Sequence, residues 1–242
     1  MSVVHRADLV ADQLASPPWG RQAFAADDPP VRVGATGSGK DLLLLGWTAA
    51  DLAREVTAGA RLFARFGIAP GMRVANTLPG ALTTPGALLV GDVVEEIGAL
   101  DVPLGVVDTE AAAKPAWELF DRVEVTVLIA EPGAATTAFF AAAPPAARPS
   151  WKGIVWLSRG MSATPVPPPP GFAGWQRTWL AVAEATSFVA GSCEAGCFHV
   201  VEGVPADVEG GELAVGPRRY ASGLRARLVE RCPCGGGNAV AL

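Results

Sequence analysis

The most regular hydrophobic pattern in the chain runs over residues 48–66. Leu52, Val56, Ala60, Phe63 and Phe66 recur at helical spacing along one face. Thr48 stands where a cap is needed, with Asp51 three residues on as its reciprocal acid, and Gly67 follows where a helix stops. Pro70-Gly71 then marks a turn, and residues 72–77 read as a strand. The alternation continues with a helix over 85–97 ended by Gly98, a strand over 102–107 and a helix over 110–120. A strand over 123–130, a helix over 133–142 and a strand over 153–157 follow. Strands alternating with helices predict an α/β layer built on parallel strands.

Elsewhere the pattern is weaker. Residues 1–30 are polar, with prolines at 17, 18, 29 and 30, and predict a loosely packed lead-in in which His5 is inert. The apolar run 42–45 is strand-like by length. Residues 164–171 (TPVPPPPG) leave no room for a helix interior, and 180–183 is a weak strand candidate. After Ala190 short strands with Gly and Pro turns take over, at 198–202, 211–215 and 220–228, before an irregular tail past Gly235. Three segments result: a lead-in (1–30), an α/β core (31–190) and a small β-rich lobe with its tail (191–242).

Composition narrows the class. Half of the 242 residues are hydrophobic and 18% are charged, which excludes general disorder. The net charge of −5 and the lack of a basic run argue against nucleic acid as a partner. Mean hydropathy is positive. Still, the run 87–90 leads straight to Asp92, Glu95 and Glu96, and nothing approaches the ~20 apolar residues of a spanning helix. Acidic residues also stand where a signal peptide carries its apolar stretch. The expectation is a cytoplasmic protein with no membrane partner.

Two clusters carry candidate chemistry. All four cysteines, Cys193, Cys197, Cys232 and Cys234, lie in the last fifty residues, a grouping that suits metal or redox chemistry better than a disulfide framework. Gly34-Ala35-Thr36-Gly37-Ser38-Gly39-Lys40 fits the frame of a phosphate loop, in which backbone N–H groups and one lysine surround phosphate oxygens. Asp41, however, stands where such a loop needs Ser or Thr for magnesium, and Leu42–Leu45 looks like a strand where a helix is required. A flexible β-turn is the alternative.

The order of motifs around that loop resembles the phenylacetate–CoA ligase family of adenylate-forming enzymes. ATGSGKD, LLLLGWT and AADLAREVTAGARLFARFG stand where that family has a Ser/Thr/Gly-rich loop, an apolar stretch and a long helix. IAPGMRVAN, IGALDVPLGV, VEVTVLIAEP, SWKGIVWLS, RRYASGLRARL and RCPCG follow collinearly, so the likeness runs over about residues 31–235. The resemblance implies a Rossmann-like layered sheet of the N-terminal adenylation-domain type with a small C-terminal β lobe. It also implies a reaction in which ATP and a carboxylic acid give an acyl-adenylate that coenzyme A attacks. On this likeness Thr36, Gly37, Ser38, Gly39 and Lys40 face phosphate, Glu184 matches the magnesium glutamate, and Arg227 matches an arginine following the ribose-binding acid. Leu224 stands in place of that acid and Leu180 in place of the aromatic adenine platform, and the domain bearing the catalytic lysine is not found before the last residue. Glu184 alone is equally a solvated charge.

The likeness also covers SCEAGCFHV, which implies a closed Cys₃His zinc site of Cys193, His199, Cys232 and Cys234, with Cys197 able to replace Cys193. The expectation is a degenerate CoA-ligase-like protein that binds an acyl or aromatic ligand or a partner protein. The alternative is an active ligase working with a separate C-terminal subunit, and ATP and magnesium are cofactors only in that case. Trp151, Trp156, Trp175 and Trp179 either line an aromatic-acid pocket or pack in the core. Apolar surface left uncovered near residues 31–47 predicts a homodimer or a partner protein.

Overall fold

A computed structural model of the chain describes residues 3–20, 24–79, 85–144, 151–159, 167–217, 219–237 and 239–242. Of the proline-rich stretch 164–171, residues 164–166 lie outside these, as do the side chains of 85–88.

The chain begins with α1 (Arg6–Ala15), not the loose lead-in that its polar composition suggests. Its Leu9 and Val10 pack with Leu43, Leu45 and Trp47, and Leu9 also meets the cluster around Leu213 and Tyr220. Strands β1 (Arg32–Thr36) and β2 (Leu43–Trp47) follow as an antiparallel hairpin around the glycine-rich loop. No helix follows that loop directly, so the phosphate-loop NTPase arrangement is absent here. Next come α2 (Ala49–Arg65), β3 (Arg73–Asn76), α3 (Pro85–Glu96), β4 (Leu100–Pro103), α4 (Glu110–Arg122), β5 (Val127–Ala130), α5 (Ala134–Ala141) and β6 (Gly153–Ser158). Thr48 and Asp51 cap α2 reciprocally, at 3.2 and 3.0 Å.

The second half is all strand: β7 (Trp175–Val182), β8 (Thr186–Ser192), β9 (Phe198–Val200), β10 (Ala206–Glu209), β11 (Glu212–Val215), β12 (Tyr220–Arg225), β13 (Arg227–Val229) and β14 (Ala239–Ala241). Nine strands form one sheet in the order β13-β14-β9-β8-β7-β6-β5-β3-β4, and β10-β11-β12 form a small sheet of their own. From β4 to β7 every pairing is parallel, and from β7 to β13 every pairing is antiparallel.

Helices cover both faces of the parallel half, as such sheets require. On one face α2 and α3 bury Leu62, Phe63 and Val93 against Trp179 and Phe188. On the other, α4 and α5 bury Trp117, Phe120 and Phe139 against Leu128 and Ile154. The expected α/β layered sheet is therefore present. Strand β4 ends earlier than expected because Leu104 and Gly105 turn back to the Asn76 carbonyl at 3.0 and 3.2 Å. Among the described residues no helix is long and apolar enough to cross a membrane.

Candidate functional site

Two turns of the antiparallel half bring the thiols together. Cys193 leaves β8 into a tight turn, where its N–H reaches the Cys197 carbonyl at 2.8 Å and Gly196 donates back to Cys193 at 3.1 Å. His199 lies on β9, paired with Gly191 of β8 and Ala239 of β14. Cys232 and Cys234 sit on the β13–β14 turn, closed by Gly235 N–H donating to the Cys232 carbonyl at 2.9 Å. The ligating atoms of Cys193, His199, Cys232 and Cys234 all lie within 4.8 Å of one another. Sulfurs on a tetrahedral zinc with bonds of ~2.3 Å are about 3.8 Å apart. Here Cys193 and Cys232 are separated by 3.5 Å, and Cys234 Sγ lies 3.1 Å from His199 Nε2. The donor set and spacing fit a closed four-coordinate zinc.

The imidazole is fully buried and already oriented. Its Nδ1 lies 2.9 Å from the Gly237 carbonyl, which can only accept, so Nδ1 carries the proton and Nε2 offers its lone pair to the sulfurs. Gly236 permits this contact, since a Cβ there would lie 2.7 Å from His199 Cε1. Burial raises the Cys193 pKa, but the neighbouring His199 ring, the Cys232 thiol and the N–H groups of Ala195 and Cys197 outweigh it and bring the thiol down to about 6. A thiolate at neutral pH is the form that binds metal. No disulfide joins these cysteines, and Cys197 stays outside the converging four.

The second cluster lies at the turn between β7 and β8, where the sheet changes from parallel to antiparallel. Glu184 points there toward the glycine-rich loop, and Thr36 Oγ1 donates to its carboxylate at 3.0 Å. Arg6 of α1 occupies the space between them. Its Nη1 pairs with Glu184 and reaches Thr36 Oγ1 at 2.7 Å, and its Nη2 reaches the carbonyls of Thr36 and Asp41 at 2.9 and 2.7 Å. Gly37 is held at φ +74°, and a Cβ there would come 2.4 Å from Arg6 Nη2. The loop thus turns carbonyl and hydroxyl oxygens inward around a guanidinium, and Glu184 adds its carboxylate, whereas phosphate binding uses inward N–H groups. Lys40 is exposed on a single 3-10 turn, Gly39–Asp41, and Ser38 is exposed just before it.

The other expected residues are dispersed. Arg227 is exposed on β13, at the end of the nine-strand sheet. Leu224 is half-buried against the apolar cluster that contains Leu180 and Val182, and its side chain offers no acceptor for a sugar hydroxyl. Trp179 and Trp156 are core residues whose indole N–H groups are used internally, donating to the Ser187 carbonyl at 2.6 Å and to Gln176 Oε1 at 2.9 Å. Trp151 and Trp175 instead line a cleft with Phe172 and Lys152. Arg6 went unnoticed in the sequence because it lies 178 residues from Glu184.

Solved structures give the comparison that decides the fold. The chain is similar to 2-hydroxyisobutyryl-CoA ligase in an open conformation in complex with 2-HIB-AMP and CoA, with a TM-score of 0.80 and 17% identity over 100% of this chain. The adenylate-forming fold is present. In its postadenylation state in complex with 2-HIB-AMP, the same ligase matches with a TM-score of 0.75 at 17% identity. The chain spans 62% and 56% of those two chains, less than two thirds of the ligase's length. Neither a protein-family model nor a curated protein matches the sequence.

Proposed function

We propose that this adenylate-forming fold serves as a zinc-stabilised, CoA-ligase-like binding protein that does not adenylate. The observation that carries the reading is Arg6. Adenylation in the resembled family places magnesium at the position of Glu184 and phosphates at the loop. Here a tethered cation neutralises that carboxylate and takes the loop oxygens. Leu224, set among apolar side chains, supports the same reading. Zinc on Cys193, His199, Cys232 and Cys234 is structural in this proposal, since four protein ligands leave no open position. The free thiols suit a reducing compartment, which supports a cytoplasmic location.

An aromatic carboxylic acid is the ligand class that the Trp151, Phe172 and Trp175 cleft supports, with Lys152 as its counter-charge. Exposed Val31, Val33 and Leu42 on the hairpin support a homodimer or a partner protein on that side.

Carboxylate-dependent pyrophosphate exchange tests the central reading. The expected result is no exchange above background for the natural chain or for Arg6→Ala, with aliphatic or aromatic acids. Exchange in the natural chain would make it an active ligase. Exchange gained only in Arg6→Ala would make α1 an inhibitory plug on a working site.

A further inference from the structure

A groove of about 660 Å³ lies between α1, β2, α2 and the small three-strand sheet, on the α2 side of Glu184. Leu9, Leu43, Leu45, Val204 and Val215 supply apolar wall, and Ala58 leaves space along α2. At its base is Glu55, whose exposure is 9%. One carboxylate oxygen accepts from Ser187 N–H at 2.8 Å. Among the described residues no cation pairs with it. Every other charged side chain lining the groove is more exposed than Glu55.

A buried acid without a counter-charge is costly, and cavities that retain one are ligand-site candidates. Burial, with the nearby Asp51 charge added, raises the Glu55 pKa, despite hydrogen bonds from Thr186 and Ser187. The cations lining the groove, Arg54 and Arg61, are exposed at its rim. Arg54 pairs with Asp51, and Arg61 donates to the Glu202 carbonyl at 3.1 Å. Arg6 pairs with Glu184, which also lines the groove, so Glu55 remains as its most buried charge. A carboxylate ligand meets like charge here, whereas a protonated amine on an apolar body meets a buried anion at the base and aliphatic walls.

We infer that this groove binds an amphipathic organic amine, its ammonium group on Glu55 and its hydrocarbon part along Leu43, Leu45 and Val204. Glu184 also lines the groove, but the inference rests on Glu55 and not on the glycine loop or the Cys/His cluster, so its failure leaves the ligase-like reading in place.

Calorimetric titration of the zinc-loaded full chain with hexylamine, hexanol and hexanoate tests it. Hexylamine is expected to bind at least tenfold more tightly than hexanol, with no heat from hexanoate. Glu55→Gln keeps an acceptor for Ser187 N–H and is expected to abolish the preference for amine. Ala58→Phe, which fills the groove and leaves Glu55 in place, is expected to abolish binding outright, and it serves alone if Glu55→Gln does not fold. Equal binding of amine and alcohol, binding of hexanoate, no heat from hexylamine, or unchanged amine binding in either folded variant overturns the inference.

Discussion

The orientation of His199 depends on Gly236. The imidazole needs Nδ1 on the Gly237 carbonyl to present Nε2 to the sulfurs, and the chain before that carbonyl must pass almost in contact with the ring. In Gly236→Ala the new Cβ would lie 2.7 Å from Cε1 and 2.9 Å from Nδ1, so the ring or the turn must shift. Overpacking of this kind costs about 1–3 kcal/mol. We predict a melting temperature lower by roughly 2–4 °C per kcal/mol, together with reduced zinc content by metal analysis. Unchanged zinc and stability would show that the glycine is incidental. The clustering of four cysteines was legible in the sequence itself, whereas the set Cys193, His199, Cys232 and Cys234, with Cys197 as a possible replacement, came from the likeness to the ligase family. Gly236, Arg6 and Glu55 were not legible, because ordinary residue types gain their meaning only from partners far along the chain.

At the scale of elements, legibility followed the range of the interactions. Helix α2 announced itself through a capping box three residues wide and a single apolar stripe. Strand β8 did not, because Ser187–Gly191 are all buried, and a strand covered on both faces loses the alternation that marks it. Helix α1 was hidden by its polar composition, since it is held by side chains that reach distant backbone. Gln13, for example, holds both the N–H and the carbonyl of Leu44 at 3.0 and 2.6 Å. The β8–β9 and β13–β14 turns are the elements that a zinc on the four converging residues would tie together. With about one zinc per chain, a chelator should therefore lower the melting temperature, as structural zinc is linked to folding. Metal-free protein of unchanged stability would remove zinc from the account.

For the whole molecule, the sheet divides its work at the β7–β8 turn. The parallel half carries the large two-sided core, and the antiparallel half carries the Cys/His cluster. The hairpin β1–β2 stands off the main sheet and keeps Val31 and Val33 exposed at 62% and 54%. An apolar strand edge of this kind is covered most simply by a second copy. Light scattering should give about twice the 24.8 kDa chain mass at micromolar concentration, and a monodisperse monomer would contradict this.

The central claim is that the glycine loop and Glu184 enclose a guanidinium instead of a magnesium–nucleotide. Calorimetric titration of the zinc-loaded chain with magnesium–ATP tests it most directly. The account predicts no saturable heat, because Arg6 already occupies the loop's inward oxygens and the Glu184 carboxylate that the metal would need. Stoichiometric binding of magnesium–ATP that weakens in Glu184→Gln would contradict it.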